Sequence, residues 1–110
     1  MLFRSIDSST PLHFASQFGH VEVVQVLLQN GADPSAQGND GWTPLLWASI
    51  FGYVKVVQVL LEHGADVNVR DRNSWTPFQL ALHQRHYSLI QVLLAHGARE
   101  EHHISVAVES

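Results

Sequence analysis

Thr10-Pro11-Leu12-His13-Phe14-Ala15-Ser16-Gln17-Phe18-Gly19 is answered 33 residues later by Thr43-Pro44-Leu45-Leu46-Trp47-Ala48-Ser49-Ile50-Phe51-Gly52, and this echo decides the fold. The opening triplet returns once more as Thr76-Pro77-Phe78. Comparing residues 10–42 with 43–75 gives 18 identities in 33 positions, spread over the whole unit. Such a period marks a stack of supersecondary units, none of which buries its apolar face alone, so stability must come from neighbour-to-neighbour contact.

Each unit reads physically. Thr10, Thr43 and Thr76 stand where an N-cap hydroxyl accepts from unpaired backbone N–H groups, and the proline behind each has its φ preset for the first helical position. Gly19 and Gly52 end this first helix about nine residues on, where a left-handed φ is needed. In the second helix Val21, Val24 and Leu28, flanked by Val23 and Leu27, form an apolar stripe against Glu22, Gln25 and Gln29. Its copies set Val54, Val56, Val57, Leu60 and Leu61 against Lys55, Gln58 and Glu62, and Leu89, Ile90, Leu93 and Leu94 against Ser88, Gln91 and Ala95. Gly31-Ala32, Gly64-Ala65 and Gly97-Ala98 close it. The stretches 33–42 and 66–75 are rich in Gly, Asn and Asp and read as protruding turns or hairpins.

With Thr10-Pro11-Leu12-His13, Gly19-His20, Val23-Val24, Leu27-Leu28 and Gly31-Ala32-Asp33 in phase, and Gly64-Ala65-Asp66-Val67-Asn68 repeating the last, the unit resembles an ankyrin repeat over about residues 5–103. The resemblance implies an all-α solenoid of antiparallel helix pairs with short β-hairpins projecting from it. It divides a single domain, 1–110, into repeats of about 5–37, 38–70 and 71–103 with a tail at 104–110. It also implies protein–protein interaction without chemistry or cofactor, on a concave face of hairpins and first helices. The third unit departs most. Gln79 replaces His13, Arg85 stands at the place of Gly19 and Gly52, and Arg99-Glu100-Glu101 replaces the Asp33 and Asp66 turns, as suits a terminal unit. Leu2, Phe3 and Ile6 suit a cover for the first unit, and Ile104, Val106 and Val108 alternate as in a short strand. A chain of this length also suits a piece of a longer array.

Composition narrows the function. A net charge of −4 with six Lys plus Arg and no basic run argues against nucleic acid and anionic membrane as partners. No stretch reaches transmembrane length, and no signal peptide is evident. The absence of cysteine fits a cytoplasmic or nuclear location. Eight histidines invite a metal reading. However, His63 and His96 recur at helix C-termini, where they suit the dipole, and neither they nor His102-His103 have the spacing of a ligand set. No Gly-x-Ser-x-Gly element suggests acyl chemistry.

Carried over from the resemblance, the partner-facing positions include Asp7, Phe18, Asn39, Asp40, Trp42, Ile50, Phe51, Arg72, Trp75, His83 and Gln84. Phe18, Trp42, Ile50, Phe51 and Trp75 are large and apolar at places the helix stripes do not use, a composition typical of interface hot spots with a polar rim. Trp42 and Trp75 have a packing explanation as well, in which they pack against each other across the hairpins and brace the stack. Trp47, matched by Phe14 and Leu80, reads as core. An alternative function is a cleft for a small apolar molecule, with Asp40 or His83 as acid or base in an unusual ankyrin-like enzyme. Depth of the concavity separates the two, since small-molecule sites enclose their ligand.

Overall fold

The computed structural model describes residues 9–38 and 41–100. The expected cover from Leu2, Phe3 and Ile6, the strand-like tail, and the candidate site residues Asp7, Asn39 and Asp40 lie outside the described residues.

Six helices follow in order: α1 Pro11–Gln17, α2 Val21–Gln29, α3 Pro44–Phe51, α4 Val54–Glu62, α5 Pro77–His83 and α6 Tyr87–Ala95. Each Thr-Pro opens a helix as the sequence implies. The hydroxyls of Thr10, Thr43 and Thr76 accept from the backbone N–H of His13, Leu46 and Gln79 at 3.3, 3.3 and 3.2 Å. In the outer units the third helical residue returns a bond. His13 Nδ1 accepts from the Thr10 amide at 2.9 Å, and Gln79 Oε1 accepts from the Thr76 amide at 3.1 Å. Leu46 has no acceptor to offer, so the middle unit keeps half of this capping box.

The helices form two layers: α1, α3 and α5 pack side by side, as do α2, α4 and α6, and each pair within a unit packs across. Between the layers lies one core that includes Leu12, Val24, Leu28, Leu45, Val57, Leu60, Leu89 and Leu93. Two expected stripe members fall outside it, Val23 and Leu94, the latter 36% exposed. Val23 is 49% exposed, as is its neighbour Val26 at 55%, while the same positions one unit on, Val56 and Val59, are buried at 1% and 7%. The cause is position in the stack, because α4 turns the side that carries Val56 and Val59 towards α2, whereas α2 turns its matching side away from α4.

Gly19 and Gly52 adopt φ of 73° and 76°. They meet a steric demand too, since a Cβ on Gly52 would come 2.7 Å from the His86 ring and one on Gly19 3.0 Å from the Tyr53 ring of the following unit. Arg85 keeps the left-handed φ, at 63°, without glycine's freedom. A second departure accompanies it: Ser74, at the repeat position of Gly41, holds φ of 68°. Arg85→Gly is therefore expected to stabilise the chain by about 1 kcal/mol, the strain of αL for a residue bearing a Cβ. A thermal midpoint raised by a few degrees would bear this out; a lowered one would mean that contacts of the arginine side chain outweigh the strain.

The recurrent residue before each closing glycine is a cap. Asn30 Nδ2 donates to the Val26 carbonyl at 2.7 Å, and His63 and His96 place Nδ1 2.9 Å from the carbonyls of Val59 and Val92. An imidazole nitrogen facing a carbonyl serves as the donor, so these histidines satisfy helix ends. The projecting turns are hairpin-like, closed by Gly38 N–H to Trp42 O at 2.7 Å and Asp71 N–H to Trp75 O at 3.1 Å. No β-strand forms among the described residues, because one such bond is too few for a ladder.

Candidate functional site

The surface of the α1–α3–α5 layer is where the aromatic residues gather. In α1 the residues Leu12, Ala15 and Ser16 turn inward, which leaves Phe14 and Phe18, one turn apart, 49% and 59% exposed. In α3 the same spacing sets Trp47 and Phe51 together, their rings stacked at 6.2 Å with planes 10° apart. Phe51 is 46% exposed and its ring also meets Tyr53 at 5.9 Å. Trp42, from the projecting turn, reaches Trp47 at 4.8 Å. The result is an aromatic cluster of Trp42, Trp47, Phe51 and Tyr53 in the second unit, with Phe14 and Phe18 at the positions in the first unit that match Trp47 and Phe51.

Trp47 is thus no core residue, contrary to its sequence reading. It is half-buried and shares the face with Phe14, its counterpart one unit earlier. The i, i+4 spacing of Phe14 with Phe18 and of Trp47 with Phe51 was the signal that identifies both. Only the third copy of this position, Leu80, is buried, at 6%.

Trp42 combines two roles. Its indole Nε1–H donates to Asp71 Oδ2 at 3.0 Å, and its carbonyl lies 3.1 Å from His13 Nε2. Because His13 Nδ1 accepts from the Thr10 amide, the ring proton sits on Nε2 and is donated to Trp42. Asp71 in turn accepts from the amides of Asn73 and Trp75 through Oδ1 at 2.8 and 2.9 Å. A polar strut therefore runs His13–Trp42–Asp71 across all three units, so Trp42 braces the stack through His13 and Asp71. Trp42→Phe keeps a ring but leaves the Asp71 carboxylate short of a donor, and is expected to cost about 2 kcal/mol, the range for a bond to a charged group. An unchanged urea midpoint would contradict the strut.

Towards the third unit the face becomes polar. Trp75 meets the His83 ring edge-on at 5.7 Å, and His83, Gln84 and Arg72 are exposed. Ile50 is half-buried, with its carbonyl 3.1 Å from His86 Nε2. Of the expected set the structure joins Trp42 and Phe51 through Trp47, and separately Trp75 with His83. Phe18 belongs to the neighbouring helix edge, where its ring lies 6.4 Å from that of His20.

A groove of about 370 Å³ at the outer edge of the first unit is lined by Thr10, Leu12, Leu27, Ala32, Asp33 and Ala36 among others. The matching place in the second unit, with Thr43, Leu45, Ala65, Asp66 and Val69, is occupied by Pro34 and Ser35 and has about 10 Å³ left. The two grooves thus occupy matching places in successive units. Among the described residues no three His, Asp or Glu side chains come together as a metal site, and no helix is long and apolar enough to cross a membrane.

The family described as ankyrin repeats (3 copies) matches residues 2–71 and 36–103. Among curated proteins, the chain is 47% identical over 38 residues to the ankyrin repeat and sterile alpha motif domain-containing protein 1B of Danio rerio, a match covering 34% of this chain and 3% of that protein. It is 46% identical over 35 residues to the palmitoyltransferase AKR1 of Lachancea kluyveri, covering 32% of this chain and 5% of that protein. The matched stretches are thus a small fraction of either relative.

Proposed function

Because the chain belongs to the ankyrin-repeat family, whose units mediate protein–protein interaction, we propose that it is a non-catalytic binding module whose partner seats on the aromatic face of α1 and α3. The observation that supports this most is the exposure of Phe14, Phe18 and Phe51 at 49%, 59% and 46% on one layer. Three half-exposed phenylalanines on adjacent helices exceed what folding requires, and large aromatic side chains dominate binding hot spots. A partner protein covers such a surface, whereas a small molecule needs enclosure of about 70–90% of its own surface. Palmitoyl transfer, named for one relative, belongs to a protein of which 5% is matched, and is not carried to this chain. A cytoplasmic or nuclear setting agrees with the cysteine-free sequence.

The test compares proteins captured from a lysate by the wild-type chain and by the Phe18→Ser/Phe51→Ser double variant, with folding checked by circular dichroism. Specific partners should disappear from the folded variant. Retention of every partner would move the site off this face.

A further inference from the structure

The stack has two ends, and each presents a side by which neighbouring units hold one another. The incoming side at the first end is carried by α2. Val23 and Val26 are about half exposed there, whereas their counterparts Val56 and Val59 in the second unit are buried, and in the third unit Leu89 is buried and Val92 half-buried. The groove beside α2, about 370 Å³, shrinks to about 10 Å³ at the matching place of the second unit, where Pro34 and Ser35 of the preceding turn line it. Inside the stack this side is therefore covered by the helix and the turn of the unit before.

The outgoing side lies opposite. On α4, Val54 and Leu61 stand about two turns apart, across the helix from Val56 and Val59, and so turn towards α6. Both pack against the core. Their counterparts in the first unit are Val21 and Leu28, the latter buried, but in the third they are Tyr87 and Leu94, 62% and 36% exposed. End units of a soluble array turn a polar outer side to water, and Val23, Val26, Tyr87 and Leu94 do not supply one. The two ends are also complementary. One bears the incoming half and the other the outgoing half of a contact that the chain makes twice within itself, α2 with α4 and α4 with α6. Neither half has Asp, Glu, Lys or Arg at these positions, so joining them buries no unpaired charge.

We infer that the occupant of the first unit's outer side is the third unit of a second copy of this chain. Tyr87 and Leu94 of one copy lie on Val23 and Val26 of the next, as Val54 and Leu61 turn towards the side of α6 that carries Leu89 and Val92. The contact is head-to-tail and each pair keeps a free end of either kind, so copies join in an open row that lengthens with concentration. It is carried by α2 and α6, in the layer opposite the aromatic face.

Sedimentation velocity of the whole chain over a concentration series tests this. The average mass should rise above that of one chain as the concentration approaches about 1 mM. Val26→Glu, which spoils the incoming side, and Leu94→Glu, which spoils the outgoing side, should each keep the mass of one chain and the wild-type far-UV circular dichroism. Mixed in equal amounts, the two variants should form a pair of chains and nothing larger, because the intact outgoing side of the first meets the intact incoming side of the second. Val23→Lys and Tyr87→Glu probe the same two sides should either variant fail to fold. A wild type that keeps the mass of one chain at about 1 mM overturns the inference. Undiminished association of either variant alone, or mixed variants that do not pair, overturns it equally.

Discussion

Leu60→Ala should destabilise the chain by about 2–5 kcal/mol, the range for a buried leucine truncated to alanine. Leu60 is fully buried in α4, the middle helix of its layer, with α2 on one side and α6 on the other. The cavity therefore weakens the middle unit and both of its interfaces. In a stack, unit and interface stabilities sum, so loss at the centre is felt by the whole array. For a small protein with a urea dependence of about 2 kcal/mol per molar, the midpoint falls by roughly 1–2.5 M. Lys55→Ala, on the exposed side of the same helix, should stay within about 0.5 kcal/mol of wild type. Equal effects of the two substitutions would contradict the burial pattern.

The Phe18→Ser/Phe51→Ser variant should lose about a thousandfold in affinity for a protein captured by the wild type, while far-UV circular dichroism stays the same. Hot-spot aromatics cost about 2 kcal/mol or more each on truncation, and two such losses that add correspond to that factor. Both rings are about half exposed, so their removal leaves no buried cavity. This pair is a cleaner probe than one including Trp42, whose indole is part of the strut to Asp71 and whose loss mixes folding with binding. An unfolded variant would make these phenylalanines structural; a folded one with full affinity would place the site elsewhere.

The repeat period, the Thr-Pro caps, the glycine turns and the layered core were legible in the sequence because each rests on local chemistry repeated three times. Arg85 could be identified at a left-handed position by register alone. What escaped depends on neighbours. Val23 belongs to the same stripe pattern as Val56, yet one is half exposed and the other buried, since covering is supplied by another unit and not by the pattern. Trp47 looked like core by analogy with an aliphatic copy, Leu80; its i, i+4 relation to Phe51 pointed the other way. The Trp42–Asp71 bond joins residues 29 apart in sequence, and no local rule selects that pair. Ser74, in a glycine's place at the third turn, was readable from its match to Gly41 and went unread because the turns vary most between units.

The central claim, that partners bind on the aromatic layer, is tested most directly by mapping backbone amide chemical shifts while a captured partner is added. Perturbations should gather at Phe14 to His20 and at Trp42 to Tyr53, with smaller ones near Arg72 and Trp75. Shifts gathered instead on α2, α4 and α6, with the aromatic layer unmoved, would contradict the account.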